Sequence, residues 1–245
     1  MPKVRSVPAT APAKRFRLSL LGSFELRDGG ELVRLPMSAQ RLVAFLGLHE
    51  RPARRPYVAG VLWPETTDER AFANLRSALW RTRRPAPGLV DSRGQRLALG
   101  AAVELDLRET TSLAHSLVVG NDAPDHVEPA SLAAELLPDW YDDWVVSERE
   151  RYGQLRLHAL ERVAELALDA CRLGEALEAT LTALAGDPLR ESAHRLLIRI
   201  HLEEGNAGEA LRHYRSCRRL FRERLGVAPS ARLDELVRDI VGEVA

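Results

Sequence analysis

The feature that rules out most folds is a change in hydrophobic period along the first hundred residues. From Phe16 the apolar residues alternate with polar ones: Phe16, Leu18 and Leu20 against Arg17 and Ser19, then Phe24 and Leu26. Asp28-Gly29-Gly30 turns the chain into Leu32, Val33 and Leu35. Alternation half-buries a sheet, so this stretch predicts a short antiparallel meander that Pro36 stops. The period then lengthens. Ser38 is the expected N-cap of a helix carrying Leu42, Phe45, Leu46 and His49 on one side. A second helix starts near Pro56, tolerated in a first turn, and runs through Val58, Val61 and Leu62 to the Trp63-Pro64 stop. After the turn PETTD, the run DERAFANLRSALWRTRR (68–84) holds no Gly or Pro and predicts a third helix. LVDSRGQRLAL then reads as two strands around Arg93-Gly94. Strands, helix, helix, long helix, hairpin is a restrictive order.

From Val103 onward the pattern is almost wholly helical, broken by the polar stretch 120–129, which reads as an exposed loop. A long amphipathic helix follows Trp144. Behind it GEAL occurs at Gly174 to Leu177 and again at Gly208 to Leu211, 34 residues apart, the period of tetratricopeptide helix pairs. Both copies open a second helix of a pair, at 173–186 and 207–225, with a helix at 189–203 between them. Asp187-Pro188 and Gly205-Asn206 supply the breaks. Leu166, Leu168, Leu177, Leu181, Leu184, Leu196, Leu197, Ile200, Leu202, Leu211, Tyr214, Phe221 and Leu225 fit a stacked helical core. A chain of 245 residues with 45% hydrophobic residues fills two ordinary cores. The expected architecture is mostly α with a small β component: a disordered arm at 1–15, a winged helix-turn-helix at 16–103, and an all-α tetratricopeptide-like domain at 104–245.

The net formal charge is zero, yet residues 1–100 carry 18 Lys+Arg against 8 Asp+Glu and the remainder 17 against 27. So basic a block repels itself unless it serves a polyanion, whereas the acidic remainder is better placed facing protein. No stretch approaches the eighteen apolar residues of a membrane span, and the N-terminus lacks the apolar centre of a signal peptide, so a cytoplasmic protein is expected. Cys171 and Cys217 read as buried free thiols, with no metal-ligand pairing. The histidines form no H-E-x-x-H, no G-x-S-x-G occurs, and Asp142-Asp143 do not face each other across a cleft, so neither an enzyme nor a cofactor or metal site is expected.

Projected at 100° per residue, the third helix gathers Ala71, Phe72, Leu75, Ala78, Leu79 and Thr82 into a core stripe. The opposite side collects Arg70, Ala73, Asn74, Ser77, Arg81 and Arg84, flanked by Arg76, Trp80 and Arg83. Such a face is small at its centre and cationic at its edges. It can enter a major groove, with guanidinium groups reaching guanine edges and phosphates and Asn74 pairing with adenine. Trp80 has two readings, against a thymine methyl or packed on the hairpin. A merely solvated helix would interleave acidic partners four residues away, but every charged residue from 70 to 84 is an arginine. Arg93 and Arg96 at the hairpin tip reach phosphates or a minor groove. Arg51, Arg54 and Arg55, between the first two helices, are placed to clamp backbone.

Residues 16 to about 110 resemble the OmpR/PhoB-type winged helix found in the Streptomyces antibiotic regulatory proteins, and residues from about 104 to 242 resemble the bacterial transcriptional activator domain that follows it. The resemblance rests on FRLSLLGSFEL with its following LP, the LW before the turn, ANLRSALWRTRR, LLPDWYDDWVVSERERY, DPLRESAHRLLIRIHLEEGN and GEALRHYRSCRRLFRERLGVAPS. It implies an activator that binds direct repeats in promoter DNA, as a homodimer or cooperative pair, and contacts RNA polymerase, often in secondary metabolism. It also implies Asn74, Arg76, Ser77, Trp80, Arg81 and Arg84 as the DNA-facing set. The second helix, RRPYVAGVLW, lacks the early acidic residue that members often show. Larger relatives append a nucleotide-binding switch domain; no G-x-x-x-x-G-K-[ST] occurs here, so no ATP control is expected. The competing reading is a protein-interaction scaffold of tetratricopeptide-like helices with only non-specific DNA affinity.

Overall fold

The computed structural model describes residues 16–120, 124 and 126–242, with side chains as far as Arg238. The expected arm at 1–15 lies outside the described residues. The chain divides into two compact units that do not simply follow one another. One ends at Arg108 and takes in Leu136–Arg149 as well; the other comprises Glu109–Glu135 and the chain from Glu150.

In the first unit the alternating stretch forms β1 (Phe16–Ser19), β2 (Glu25–Asp28) and β3 (Glu31–Leu32), joined antiparallel. Their buried residues are those that the period of two singles out, Phe16, Leu18, Leu20 and Leu26. Next come α1 (Met37–Leu48), β4 (Ala53–Arg54), α2 (Arg55–Leu62) and α3 (Asp68–Arg83). The hairpin is β5 (Val90–Arg93) and β6 (Arg96–Leu99), followed by β7 (Val103–Leu105). The first sheet has the order β3-β2-β1-β7 and the second β4-β6-β5. Leu42, Phe45 and Leu46 of α1, Val58 and Leu62 of α2, Leu75 of α3 and Leu97 of β6 meet in one apolar cluster.

Three local expectations are corrected. Ser38 does not cap α1: Pro36 holds the N-cap position with φ −68° and ψ 155°, and its carbonyl accepts from the amides of Ala39 and Gln40. Proline's ring sets the required φ, so no side-chain cap is needed there. Val103 opens a strand rather than helical chain, pairing in parallel with β1 so that Phe16 lies opposite it. Cys171 is exposed in a left-handed turn at φ +57°, while Cys217 is buried and its thiol is pushed up to about 11 by that burial.

Two distant segments complete this unit. Asp106 accepts hydrogen bonds from the amides of Leu20 (2.9 Å), Leu21 (3.1 Å) and Leu107 (2.6 Å), which closes the end of β1 and the start of α4 (Asp106–Val119) together. Burial raises its pKa, and the three amides only partly offset this. The second segment is 136–149. Leu137 donates to the Leu20 carbonyl at 2.9 Å, Trp140 stacks on Phe24, and Trp144 meets Phe45 edge-on. Asp142 pairs with Arg41, and Arg149 caps the carbonyls of Leu136, Leu137 and Trp140.

The second unit is helical. A 3-10 turn at Pro129–Leu132 precedes α5 (Asp143–Asp169), which begins in the first unit, then α6 (Leu173–Gly186), α7 (Glu191–Glu203), α8 (Ala207–Leu225) and α9 (Ala231–Gly242). Leu117, Leu157, Leu160, Ala183 and Leu196 form its main cluster, and Ile198, Cys217, Phe221 and Leu233 a second. Leu181 and Leu225, expected in the stacked core, are instead 48% and 51% exposed: Leu181 lies on the side of α6 away from Ala176, Ala179 and Ala183, and Leu225 is the last residue of α8. Polar ties accompany the two clusters. Arg190 holds Glu161 through Nε (2.8 Å) and Nη2 (2.7 Å), and Ser192 donates to the same carboxylate. Burial alone would raise the Glu161 pKa; the bonds from Arg190 and Ser192 outweigh it and hold the carboxyl below its usual range. His194 Nε2 lies 2.9 Å from the Pro188 carbonyl and its Nδ1 2.9 Å from Nε2 of His213. Burial lowers both histidines, that of His213 to about 4 with the help of its histidine neighbours.

Candidate nucleic-acid interface

The side of α3 that packs inward is Ala71, Leu75, Ala78 and Thr82, each no more than 3% exposed, with Phe72 and Leu79 half-buried at its margins. Thr82 satisfies its hydroxyl on the Ala78 carbonyl at 2.9 Å. That placement leaves Arg70, Ala73, Arg76, Ser77, Trp80, Arg81, Arg83 and Arg84 exposed and Asn74 partly so. Asp68 and Glu69 fill the first turn, where the helix dipole favours anions, and no acid follows them. The sequence-derived face is therefore present as a continuous surface. Arg81 Nη1 lies 3.4 Å from Ser38 Oγ on α1.

Trp80 is 62% exposed and does not pack down on the hairpin. The Arg84 guanidinium sits over its ring, 5.7 Å from the centroid. On that side of α3 an open groove of about 650 Å³ runs between Leu79, Trp80 and Arg83 and the hairpin residues Val90 to Arg93. Gly100 and Gly88 lie at its root. A β-carbon on Gly100 would stand 2.1 Å from the Gly88 carbonyl oxygen, and Gly88 itself has φ +92°. The wing can be anchored this closely only with glycine at both places.

The hairpin turns at Gly94, φ +56°, which brings Arg93 opposite Arg96. The two-residue strand β4 then places Arg54 opposite Arg96 from the other side. Arg54, Arg96 and Arg93 thus form one row across the second sheet, while Ala53 and Leu97 turn into the core. Like charges directly opposite each other destabilise a sheet, so this row costs stability in the free protein and is relieved by an anion. Its internal compensation is small: Arg93 reaches Asp91 at 2.9 Å but is 89% exposed, and Arg96 reaches the Pro52 carbonyl at 3.5 Å.

Arg55 has another job. Its Nη2 donates to Ser92 Oγ at 2.6 Å, its Nε to the Gly94 carbonyl at 3.2 Å, and its amide to the Gln95 carbonyl at 2.9 Å. It ties the start of α2 to the wing tip, whereas Arg51 in the preceding loop and Arg54 in β4 are exposed. The row of three and the tie through Arg55 both depend on β4, too short to announce itself by alternation.

The described residues thus comprise a helix-turn-helix flanked by a meander and an arginine-bearing wing, and a series of tetratricopeptide-like helix pairs. Residues 130–241 match the family described as Bacterial transcriptional activator domain. Over 239 residues the chain is 30% identical to the regulatory protein AfsR of Streptomyces coelicolor, an alignment that takes in 92% of this chain and 24% of AfsR. The chain is thus similar to AfsR and spans about a quarter of the length of that relative. Its fold matches Mycobacterium tuberculosis EmbR, solved in complex with a low-affinity phosphopeptide, at a TM-score of 0.74 and 20% identity, over 94% of this chain and 66% of that one. The mostly helical architecture with a small N-terminal β component is borne out by that match. Among the described residues no helix is long and apolar enough to cross a membrane.

Proposed function

We propose that the chain is a sequence-specific, DNA-binding transcriptional activator of the cytoplasm. Residues 16–103 supply the DNA contacts, and residues 104–245 the contacts to RNA polymerase or to a second copy on direct promoter repeats. The observation that carries this reading is the outward face of α3, free of acids beyond its first turn, whose Arg70, Arg76, Arg81 and Arg84 surround the small residues Ala73 and Ser77 and the amide of Asn74. Small residues let the helix approach base edges, while the arginines reach guanine and phosphate. The Arg54, Arg96 and Arg93 row contacts backbone and fixes register without reading sequence.

A gel shift on a promoter fragment across a salt series tests it. A retarded band that weakens with salt, at a slope of about −0.9 per phosphate neutralised, is expected. A scaffold would leave the fragment unshifted even at low salt. Analytical ultracentrifugation on a two-repeat duplex tests the pairing: two protein chains per duplex are expected, and a strictly one-to-one complex overturns it.

A further inference from the structure

Helix α8 carries six arginines and two glutamates within a unit that is otherwise acidic. Its buried side is Ala210, Cys217 and Phe221. On the opposite side Arg212, Arg215, Arg219 and Arg222 follow one another at spacings of three, four and three residues, and all four are exposed. Such spacing keeps them on one stripe about 15 Å long. Among the described residues, Arg212 is the one member of the stripe with an acidic partner, Glu209; Arg219 reaches the Ser216 hydroxyl at 3.4 Å. The other two basic residues of the helix are placed off the stripe, Arg218 stacked on Tyr214 and bonded to its hydroxyl at 2.9 Å.

Two ordinary explanations fall short. Cations are favoured in the last turn of a helix by its dipole, which accounts for Arg222 but not for Arg212 or Arg215 in the first half. Like charges three and four residues apart also destabilise a helix, so an isolated stripe costs stability unless it meets an anion. The nature of that anion follows from what the stripe lacks. Gly208, Ser216 and the exposed Glu223 are the residues beside the arginines; the exposed Leu225 lies past Arg222 at the end of the helix, and no exposed aromatic or aliphatic side chain lies among the four. Protein-protein interfaces centre on buried aromatic and apolar anchors and are depleted of charge at their core. A stripe of charge with no apolar anchor fits a repeating phosphate backbone rather than a protein surface.

We infer that the exposed arginine stripe of α8, Arg212, Arg215, Arg219 and Arg222, is a second contact surface for the DNA phosphate backbone, supplied by the helical unit and blind to sequence. The inference rests on the DNA-binding reading given above. It assigns part of the electrostatic affinity to the activator half of the chain, whose net charge alone points the other way.

The test is fluorescence anisotropy on the full chain, with specific and scrambled duplexes across a salt series. Arg215→Gln/Arg219→Gln/Arg222→Gln keeps good helix formers at exposed sites, so the fold is retained. Affinity for both duplexes is expected to fall about tenfold or more, with the salt slope shallower by about 2 to 3. The control Arg199→Gln/Arg232→Gln removes two other exposed arginines of the same unit and is expected to leave the slope unchanged. Unaltered affinity and slope in the triple variant overturn the inference while leaving the α3 reading standing. An equal effect per charge in the control overturns it too, since net charge then explains everything. Loss of binding to poly-glutamate in the triple variant, with duplex binding intact, reassigns the stripe to an acidic protein. A wild-type chain that binds no duplex at all overturns the DNA-binding reading itself.

Discussion

Mild acid is expected to loosen the helical unit through one histidine pair. In the native state His213 donates from Nε2 to Nδ1 of His194, whose own Nε2–H is used by the Pro188 carbonyl, so both rings are neutral and a further proton has nowhere favourable to sit. Burial, reinforced by the neighbouring histidines, brings His213 down to about 4 from an ordinary 6.5. A depressed histidine pKa means that the unfolded chain takes up the proton first. The stabilisation is therefore fully present above pH 6.5 and is lost as pH falls toward 4. Over the whole window the shift is worth about 3 kcal/mol, and roughly 2 kcal/mol is already gone at pH 5. The carboxylates held below their usual range, Glu161 and Glu191, keep their contribution until lower pH, so the window from 6.5 to 5 isolates the histidines. All four tryptophans lie at 63, 80, 140 and 144, in the first unit. Urea unfolding followed by circular dichroism should lose stability between pH 7 and pH 5, while tryptophan fluorescence should move far less. In His213→Gln, which keeps a donor but cannot titrate, roughly 2 kcal/mol of that pH dependence should vanish. Identical pH dependence in the variant and the wild type would refute the reasoning.

Further outcomes follow from the same geometry. Arg81→Ala should lose discrimination between specific and scrambled duplex by about 1–3 kcal/mol, whereas Arg93→Ala should weaken both alike; equal losses for Arg81→Ala remove it from the base-reading set. Gly100→Ala forces a β-carbon against the Gly88 carbonyl and should cost about 1–3 kcal/mol in the first unit, read as a lower midpoint by tryptophan fluorescence. Arg190→Ala leaves the Glu161 carboxylate 8% exposed and without its main partner, at about 3–5 kcal/mol in chemical unfolding. The paired replacement Arg190→Met/Glu161→Leu should recover most of that loss, because it is the orphaned charge that is costly.

How far the residues announce their own arrangement differs between elements. The apolar stripe of α3 is local and strong, four fully buried positions at helical spacing, and the exposed arginines follow from it by geometry. The wing is legible for a similar reason, since Gly94 is a turn residue between alternating segments. What stays hidden depends on pairing over distance. β4 and β7 are two and three residues long, too short for a period, and acquire their meaning from Leu97 and Phe16 on other strands. Asp106 reads as one more helical acid, yet its carboxylate serves amides 86 and 85 residues away. The arginines of α8 are plain to see, but averaging charge over the acidic remainder conceals that four of them share one side. Trp80 illustrates a limit of the helical wheel: its angle leaves two homes open, and only the course of the hairpin shows that it stays in the open with Arg84 over it.

The interleaving of the chain also sets rules for recombining it. Residues 136–149 belong with the meander and α1, so a chimera that joins residues up to 103 of this chain to a foreign helical unit would strip Phe24 of Trp140 and Phe45 of Trp144, bare the Leu20 carbonyl, and strand Arg41 without Asp142. The transplantable cassette is discontinuous: two stretches that must travel as a matched set, with everything from 109 to 135 carried as an insertion between them. Domain shuffling by a single crossover is thereby penalised; on the proposed DNA-reading role of α3, chains built on this plan are expected to change target by substitution on that helix more readily than by swapping heads.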